Sequence, residues 1–190
     1  MQRISPIIYF LLTCLLGTYC YAQSISAGSV SYPTQIKSEL GDTLKINGIG
    51  YRRVTILRIK AYAAALYVKE NSNDPDKIIN DSNERRLIIS FFYDADKDEI
   101  QEAFEEDFID NNPHSEYLGL LKEVLPTLPD IKEDDTLTLI FNNNGIKLLI
   151  NDKIIATNSS IEFGRDILRI WLGEEPPNGS LKDGLLELDL

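Results

Sequence analysis

The stretch NGIGYRRVTILRIKAYAAALYV, residues 47–68, is the part of the sequence that decides the fold. Arg53–Ile59 is rich in β-branched residues, and Lys60–Val68 continues as a second extended run. Both runs are typical of β-strands. Side chains alternate between the two faces of a strand. Ala61, Ala63 and Ala65 should therefore share one face, and Tyr62, Ala64 and Leu66 the other. Small side chains on one face admit either a closely packed helix or an apolar ligand.

Outward from this stretch, hydrophobic periodicity predicts more strands first and helices later. Further strands are predicted at Val30–Ser38, Asp42–Asn47, Arg86–Tyr93, Thr136–Phe141, Ile146–Ile150 and Ile154–Ala156. Helices are predicted from Pro75 to Asn80, from Ile100 to Phe108, from Ser115 to Leu125, and from a capping box at Ser159–Glu162 to Trp171. This order favours an α+β fold with helices on one face of an antiparallel sheet.

Composition limits the class of protein. The chain has 190 residues, 43% of them hydrophobic, which suits one domain with a full core. Its formal net charge is −11. This charge argues against nucleic acid as a partner, because phosphates would be repelled, and against anionic membrane surfaces.

Residues 1–22 have the pattern of a secretory signal peptide. Arg3 precedes the apolar run Ile7–Gly17, and Cys20-Tyr21-Ala22 ends in a small residue at a cleavage position. The run is too short for a transmembrane anchor. We therefore expect an exported protein, periplasmic or extracellular, whose residues 23–190 form a single domain. That domain contains no cysteine, which excludes thiol chemistry and thiolate metal sites within it.

The segment Asn47–Arg53 is the strongest candidate for a functional site. Gly48 and Gly50 would let the backbone bend sharply, and two consecutive arginines follow in an acidic protein. Along a strand, Arg52 and Arg53 should point to opposite faces, so one of them should face the covered side. A buried guanidinium group needs a partner, which is either a structural carboxylate or an anionic ligand.

Other motifs favour structural explanations. The carboxylates from Asp94 to Glu105 resemble calcium-loop spacing, but Glu99 occupies the position that requires glycine. Asp96 and Asp98 are better interpreted as the start of a helix. His114, the single histidine, has no neighbouring nucleophile motif and is interpreted as a surface residue. The sequence thus predicts no metal site, no cofactor and no assigned catalytic residue.

Two motifs together resemble the chalcone isomerase-like family. Gly48–Arg52 and Lys60–Val68 are similar to its glycine–arginine strand and to its strand of pattern K-x-Y-x-x-x-L-Y. Phe163–Gly173 is similar to its final helix, which ends in Trp-Leu-Gly. The resemblance implies an open-faced β-sandwich, in which a large antiparallel sheet is covered by helices on one side. It also implies a cleft between the sheet and the helices.

The resemblance implies roles for individual residues. Arg52 matches the arginine that guides the phenolate substrate in the plant enzymes. Tyr62 stands where those enzymes have threonine, while Ile100, Asp107 and Ile170 fall near their tyrosine, their asparagine and their last hydroxyl residue. This sequence therefore lacks most of the hydrogen-bond donors that stabilise the developing enolate in the plant enzymes.

The family resemblance leads to one preferred function and two alternatives. We expect a non-catalytic protein that binds a small amphipathic or fatty carboxylate, with Arg52 and Tyr62 as ligand-binding residues. The first alternative is an isomerase or intramolecular lyase acting on a chalcone-like phenolic or another enone. The second is a structural domain without a ligand, in which Arg52 pairs with an internal carboxylate such as Asp107. The sequence leaves the oligomeric state open.

Overall fold

The computed structural model describes residues 23–54 and 59–187, so the predicted signal peptide lies outside the described residues. The strands are β1 (Ser24–Ala27), β2 (Val30–Pro33), β3 (Gln35–Lys37), β4 (Thr43–Val54), β5 (Ile59–Val68), β6 (Arg85–Phe91), β7 (Thr136–Asn142), β8 (Gly145–Ile150) and β9 (Lys153–Asn158). The helices are α1 (Pro75–Asn80), α2 (Lys97–Asn111), α3 (Leu118–Val124), α4 (Ile161–Leu172) and α5 (Gly179–Leu185), with a 3₁₀ turn at Leu125–Thr127.

β3 to β9 form a seven-stranded antiparallel sheet in which the spatial order follows the sequence order. Tight turns join the last three strands. Gly145, at φ 101°, follows the Asn-rich turn after β7, and Asn151 and Asp152, at φ 47° and 64°, connect β8 to β9. These residue types tolerate positive φ, as the sequence indicated. The three strands and two turns predicted between Thr136 and Ala156 are confirmed, with boundaries shifted by one or two residues. In the predicted strand Arg53–Ile59, residues 55–58 lie outside the described residues, while Val54 ends β4 and Ile59 begins β5.

Helices cover one face of this sheet. Ala64 and Leu66 of β5 contribute to the core on that side, together with Phe108 of α2 and with Ile167 and Trp171 of α4. All five side chains are at most 4% exposed. The predicted α+β class, with a large antiparallel sheet covered by helices on one side, is confirmed.

The opposite face carries a smaller core beneath the two-stranded β1–β2 sheet. Ala63 and Ala65 of β5 belong to this second core, and so does Tyr32 of β2. The Tyr32 hydroxyl lies 3.1 Å from the carbonyl oxygen of Ala63 and 2.9 Å from Oγ of Ser90. The small alanines on this face therefore make room for a tyrosine from the β1–β2 hairpin.

The glycines of β4 allow a helix to approach the strand closely. The strand runs continuously through Gly48 and Gly50, and α5 lies directly on both residues. A Cβ atom on Gly48 would lie 2.5 Å from the carbonyl carbon of Leu185, and one on Gly50 would lie 2.9 Å from that of Leu181. No ordinary side chain fits at these distances. The sequence does not predict α5, because this helix is short and contains two glycines of low helix propensity.

The two arginines at the end of β4 make different contacts: Arg52 faces α2, whereas the guanidinium group of Arg53 lies 5.7 Å from the ring centroid of Tyr51, which packs against the second core. A register shift between Arg52 and Arg53 interrupts the pairing with β5. Nη1 of Arg52 contacts Asp107 on α2, whereas Nη1 of Arg53 donates to Oγ of Ser180 on α5 at 3.0 Å. Both guanidinium groups thus contact helices.

Side-chain caps begin the two longest helices. The Asp96 carboxylate accepts a hydrogen bond from the backbone N–H of Asp98, so Asp96 is the N-cap of α2, which begins where the sequence predicted a helix start. Oγ of Ser160 accepts from the N–H of Phe163 and caps α4. The cap is thus Ser160, one residue after Ser159, the first residue of the predicted capping box.

Candidate functional site

A cavity of about 380 Å³ lies between the sheet and helices α2 and α4. Strands β4, β5 and β6 form its floor, and most of its lining is apolar or aromatic. The principal apolar side chains are Phe91, Ile100, Ala103, Phe104, Ile170 and Trp171. A volume of this size falls within the range of about 300–1,000 Å³ that is usual for small-molecule sites.

Aromatic packing shapes this cavity. Phe104 of α2 and Trp171 of α4 meet edge to face with ring centroids 5.7 Å apart. On the sheet, Tyr62 and Phe91 make a similar contact at 5.8 Å. Such edge-to-face pairs add to the stabilisation from burial alone. The walls are therefore held by contacts between different elements.

One end of the cavity is polar, because the register of β4 and β5 places two polar side chains next to each other there. Arg52 of β4 is the direct cross-strand partner of Tyr62 of β5, so both side chains lie on the helix-covered face. Asp107 approaches from α2, where its Oδ2 lies 3.4 Å from Nη1 of Arg52. The structure thus brings together the two predicted ligand-binding residues and the predicted internal carboxylate.

The Tyr62 hydroxyl group is held by the single tryptophan of the chain. Nε1 of Trp171 donates a hydrogen bond to the Tyr62 oxygen at 3.1 Å. Burial raises the pKa of Tyr62 to about 12, although Arg52 and the bond from Trp171 act in the opposite direction. The group therefore remains a phenol at neutral pH, and no described residue accepts its proton. It is placed to donate a hydrogen bond to a ligand oxygen.

The ion pair between Arg52 and Asp107 uses little of the arginine's capacity. The two side chains are 22% and 21% exposed, and the contact is a single hydrogen bond from Nη1. A guanidinium group has five N–H donors. Burial raises the pKa of the Asp107 carboxyl group, and Arg52 lowers it while Glu106 and Asp110 raise it further. Arg52 is paired but retains donors for a second oxygen ligand.

Residues implicated by the family resemblance also meet at this cavity. Ile100, Asp107 and Ile170 all line it beside Arg52 and Tyr62. Sequence reasoning missed Trp171 as a site residue and interpreted it only as part of a helix. The signal for its role is weak, because the helical spacing of Trp171 marks it as buried without indicating which neighbour its N–H meets.

Two other grooves contain charged or titratable residues. In a surface groove of about 700 Å³ beside α2, half of the lining residues are carboxylates of that helix, as expected for its solvated face. His114 lies in another groove, of about 570 Å³, beside Ser115, whose hydroxyl group hydrogen-bonds to Asp166 at 2.5 Å. Asp94 pairs with Lys132.

Within the described parts of the chain, no group of three or more His, Cys, Asp or Glu side chains is arranged to hold a metal ion. No helix among the described residues is both long enough and apolar enough to cross a bilayer.

Comparisons with known proteins place this geometry in a family. A family model described as chalcone isomerase-like matches residues 24–187. Among solved structures, the chain is similar to a fatty-acid binding protein from Arabidopsis thaliana, with 18% sequence identity and a TM-score of 0.71. That match covers 86% of this chain and 96% of the Arabidopsis chain. No curated protein matches the sequence.

Proposed function

The chain belongs to the chalcone isomerase-like family, and we propose that it is a non-catalytic protein that binds a small amphipathic carboxylate in the cavity between sheet and helices. Arg52 pairs with the ligand carboxylate, and the Tyr62 hydroxyl donates to one of its oxygens. The apolar part of the ligand lies against Phe104 and Trp171. The observation that carries the proposal is the location of Arg52 and Tyr62 together at the polar end of an otherwise largely apolar cavity.

Cavity volume supports a ligand of modest length. A water molecule occupies about 30 Å³ in the liquid and a methylene group is of similar size, so the cavity of about 380 Å³ accepts roughly a dozen non-hydrogen atoms. Decanoate has this size. The similarity to the Arabidopsis fatty-acid binding protein points to the same class of ligand.

The residues around the cavity favour binding over catalysis. Stabilising a developing enolate requires positioned hydrogen-bond donors. Ile100 and Ile170 line the cavity at positions where the resemblance implies hydroxyl residues, and their side chains donate no hydrogen bonds. Arg52 and Tyr62 supply the remaining donors, which suffice to orient a carboxylate.

The alternative of a ligand-free structural domain predicts that Asp107 fully satisfies Arg52. The single contact at 3.4 Å and the adjoining cavity argue against this reading. We therefore assign Arg52 to ligand binding and treat Asp107 as its partner in the free protein.

Ligand retention tests the proposal directly. Mass spectrometry of small molecules extracted from the purified protein should find a bound amphipathic carboxylate, and decanoate should quench or shift the fluorescence of Trp171 on titration. Arg52→Ala should abolish both signals. Arg53→Ala is the matched control, because this neighbouring arginine contacts Ser180 and does not line the cavity.

Two outcomes would contradict the proposal. Equal retention and equal decanoate affinity in wild type and Arg52→Ala would remove Arg52 from the site. Turnover of a chalcone above its spontaneous rate, lost in Arg52→Ala, would instead support the isomerase alternative.

Export is part of the proposed function. Residues 1–22 act as a signal peptide and direct residues 23–190, as a single domain, to the periplasm or the extracellular space. Expression of the full-length gene followed by N-terminal sequencing of the exported protein should find Gln23 as the first residue. Retention of an intact leader in the cytoplasmic fraction would contradict this assignment.

A further inference from the structure

The charges around the cavity are unusual for a site that receives an anion. Among the described residues that line it, Arg52 is the single basic side chain, whereas Asp94, Glu99 and Asp107 are acidic. Arg52 already contacts Asp107. A ligand carboxylate that reaches Arg52 therefore lies beside the carboxylate of Asp107, which already neutralises part of the charge of Arg52.

Two carboxylates that share one guanidinium group repel each other, and proton uptake by one of them relieves the repulsion. Asp94 forms a separate ion pair with Lys132, so it is not the group that competes at the arginine. Asp107 is the acid in contact with Arg52 and is only 21% exposed, which limits screening by water. The geometry singles out Asp107 as the group that must lose its charge.

The surroundings of Asp107 favour its neutral form. Across the cavity it faces Arg52 of β4 and the phenol of Tyr62 on β5, whereas α4 contributes the uncharged Ile170 and Trp171. On its own helix the nearby charges are Glu106 and Asp110, both negative. Burial has already raised the pKa of Asp107 before any ligand enters. Removal of its salt-bridge partner raises that pKa further.

We propose that Asp107 couples ligand binding to proton uptake: the incoming carboxylate replaces Asp107 at Arg52, and Asp107 accepts a proton from solvent. This inference rests on the proposed function and adds a regulatory residue to the same site. Binding then tightens as the pH falls, and the ligand is released as the pH rises. Asp107 thus competes with the ligand carboxylate for Arg52.

Isothermal titration calorimetry with decanoate measures the coupling. Titrations of wild type between about pH 6 and 8, where a fatty carboxylate is already ionised, are run in buffers of different ionisation enthalpy. Wild type should take up as much as about one proton per ligand, and its affinity should fall by up to about tenfold per pH unit.

Asp107→Asn keeps the shape of the side chain and removes its charge. This variant should bind decanoate more tightly at about pH 8, without proton uptake and with little dependence on pH. Glu102→Gln removes an exposed acid of the same helix that lies outside the cavity lining and is not among the charges acting on the Asp107 carboxyl group. It should retain the wild-type proton uptake, which controls for the general loss of one negative charge from α2.

The outcomes separate this inference from the proposed function. Binding that depends on Arg52 but is independent of pH, or proton uptake that persists in Asp107→Asn, would overturn the role of Asp107 and leave the binding function intact. Equally weak decanoate binding by wild type, Arg52→Ala and Asp107→Asn at every pH would overturn both.

Discussion

The close packing of α5 on the sheet predicts that Gly50→Ala destabilises the protein. A methyl group at this position would lie 2.9 Å from the carbonyl carbon and 2.8 Å from Cδ1 of Leu181, and closer still to the Leu181 carbonyl oxygen. Carbon atoms pack at about 3.5–4.0 Å, so the helix backbone must retreat by on the order of 1 Å. The side chain of Leu181 can rotate away, but the backbone atoms of α5 cannot.

The cost of this displacement follows from what α5 buries. Overpacking of this kind costs about 1–3 kcal/mol. Complete detachment would expose Leu181 and Leu185, both 0% exposed in the structure, at about 1.5–3 kcal/mol for each side chain. We expect Gly50→Ala to lower the free energy of unfolding by about 2–3 kcal/mol. For a domain of this size the melting temperature should fall by about 4–12 °C.

Urea unfolding monitored by tryptophan fluorescence measures this loss. Trp171 is the single tryptophan and is 1% exposed, so its emission reports on the core beneath the helices. Gly179→Ala is the matched control within α5, because a Cβ there meets no atom within 4 Å. That control should be neutral or stabilising by up to about 1 kcal/mol. If the free energy of unfolding of Gly50→Ala were within about 0.5 kcal/mol of the wild-type value, the close packing of α5 on β4 would be refuted.

Three further predictions concern the site and its supporting helix. Arg52→Ala should change the free energy of unfolding by less than about 1 kcal/mol, because its ion pair is partly exposed and makes one contact; a larger loss in urea unfolding would favour a structural arginine. Asp107→Asn should alter the pH dependence of stability, because the pKa of Asp107 is raised in the folded state. Wild type should therefore lose stability relative to the variant as the pH rises above 3.8 through that raised value. A difference in melting temperature between the two proteins that stays constant across this pH range would contradict the prediction. Ser160→Ala should lower the free energy of unfolding by about 1 kcal/mol, because the Phe163 N–H loses its cap. Ser160→Gly should recover part of this stability.

The agreement between sequence and structure is best where the signal is local. The alternation along β5 correctly divides Ala64 and Leu66 from Ala63 and Ala65, because successive side chains of a regular strand point to opposite faces. It is wrong for Ala61, which lines the cavity together with Tyr62 because a register shift interrupts the strand pairing there. Asp96 caps α2 because a carboxylate before an amphipathic run satisfies free N–H groups at once. These features need only a few neighbouring residues to be recognised.

The errors occur where distant elements meet. Gly48 and Gly50 form the surface on which α5 rests, a contact that the sequence did not predict. Nothing within a few residues of β4 indicates that a helix more than a hundred positions later will approach so closely. The same limit explains why Trp171 was recognised as buried but not as the donor that holds Tyr62.

The sequence by itself determined the succession of strands and helices, the faces of the strands, the family resemblance and Arg52 as the candidate ligand-binding arginine. Only the tertiary structure decided that Arg52 meets Asp107 from 55 residues away, that Tyr62 meets Trp171 from 109 residues away, and that a cavity of about 380 Å³ remains between them. Periodicity and capping are properties of short segments. A cavity is the space left when separate segments pack, so its size and its charges depend on all of them together.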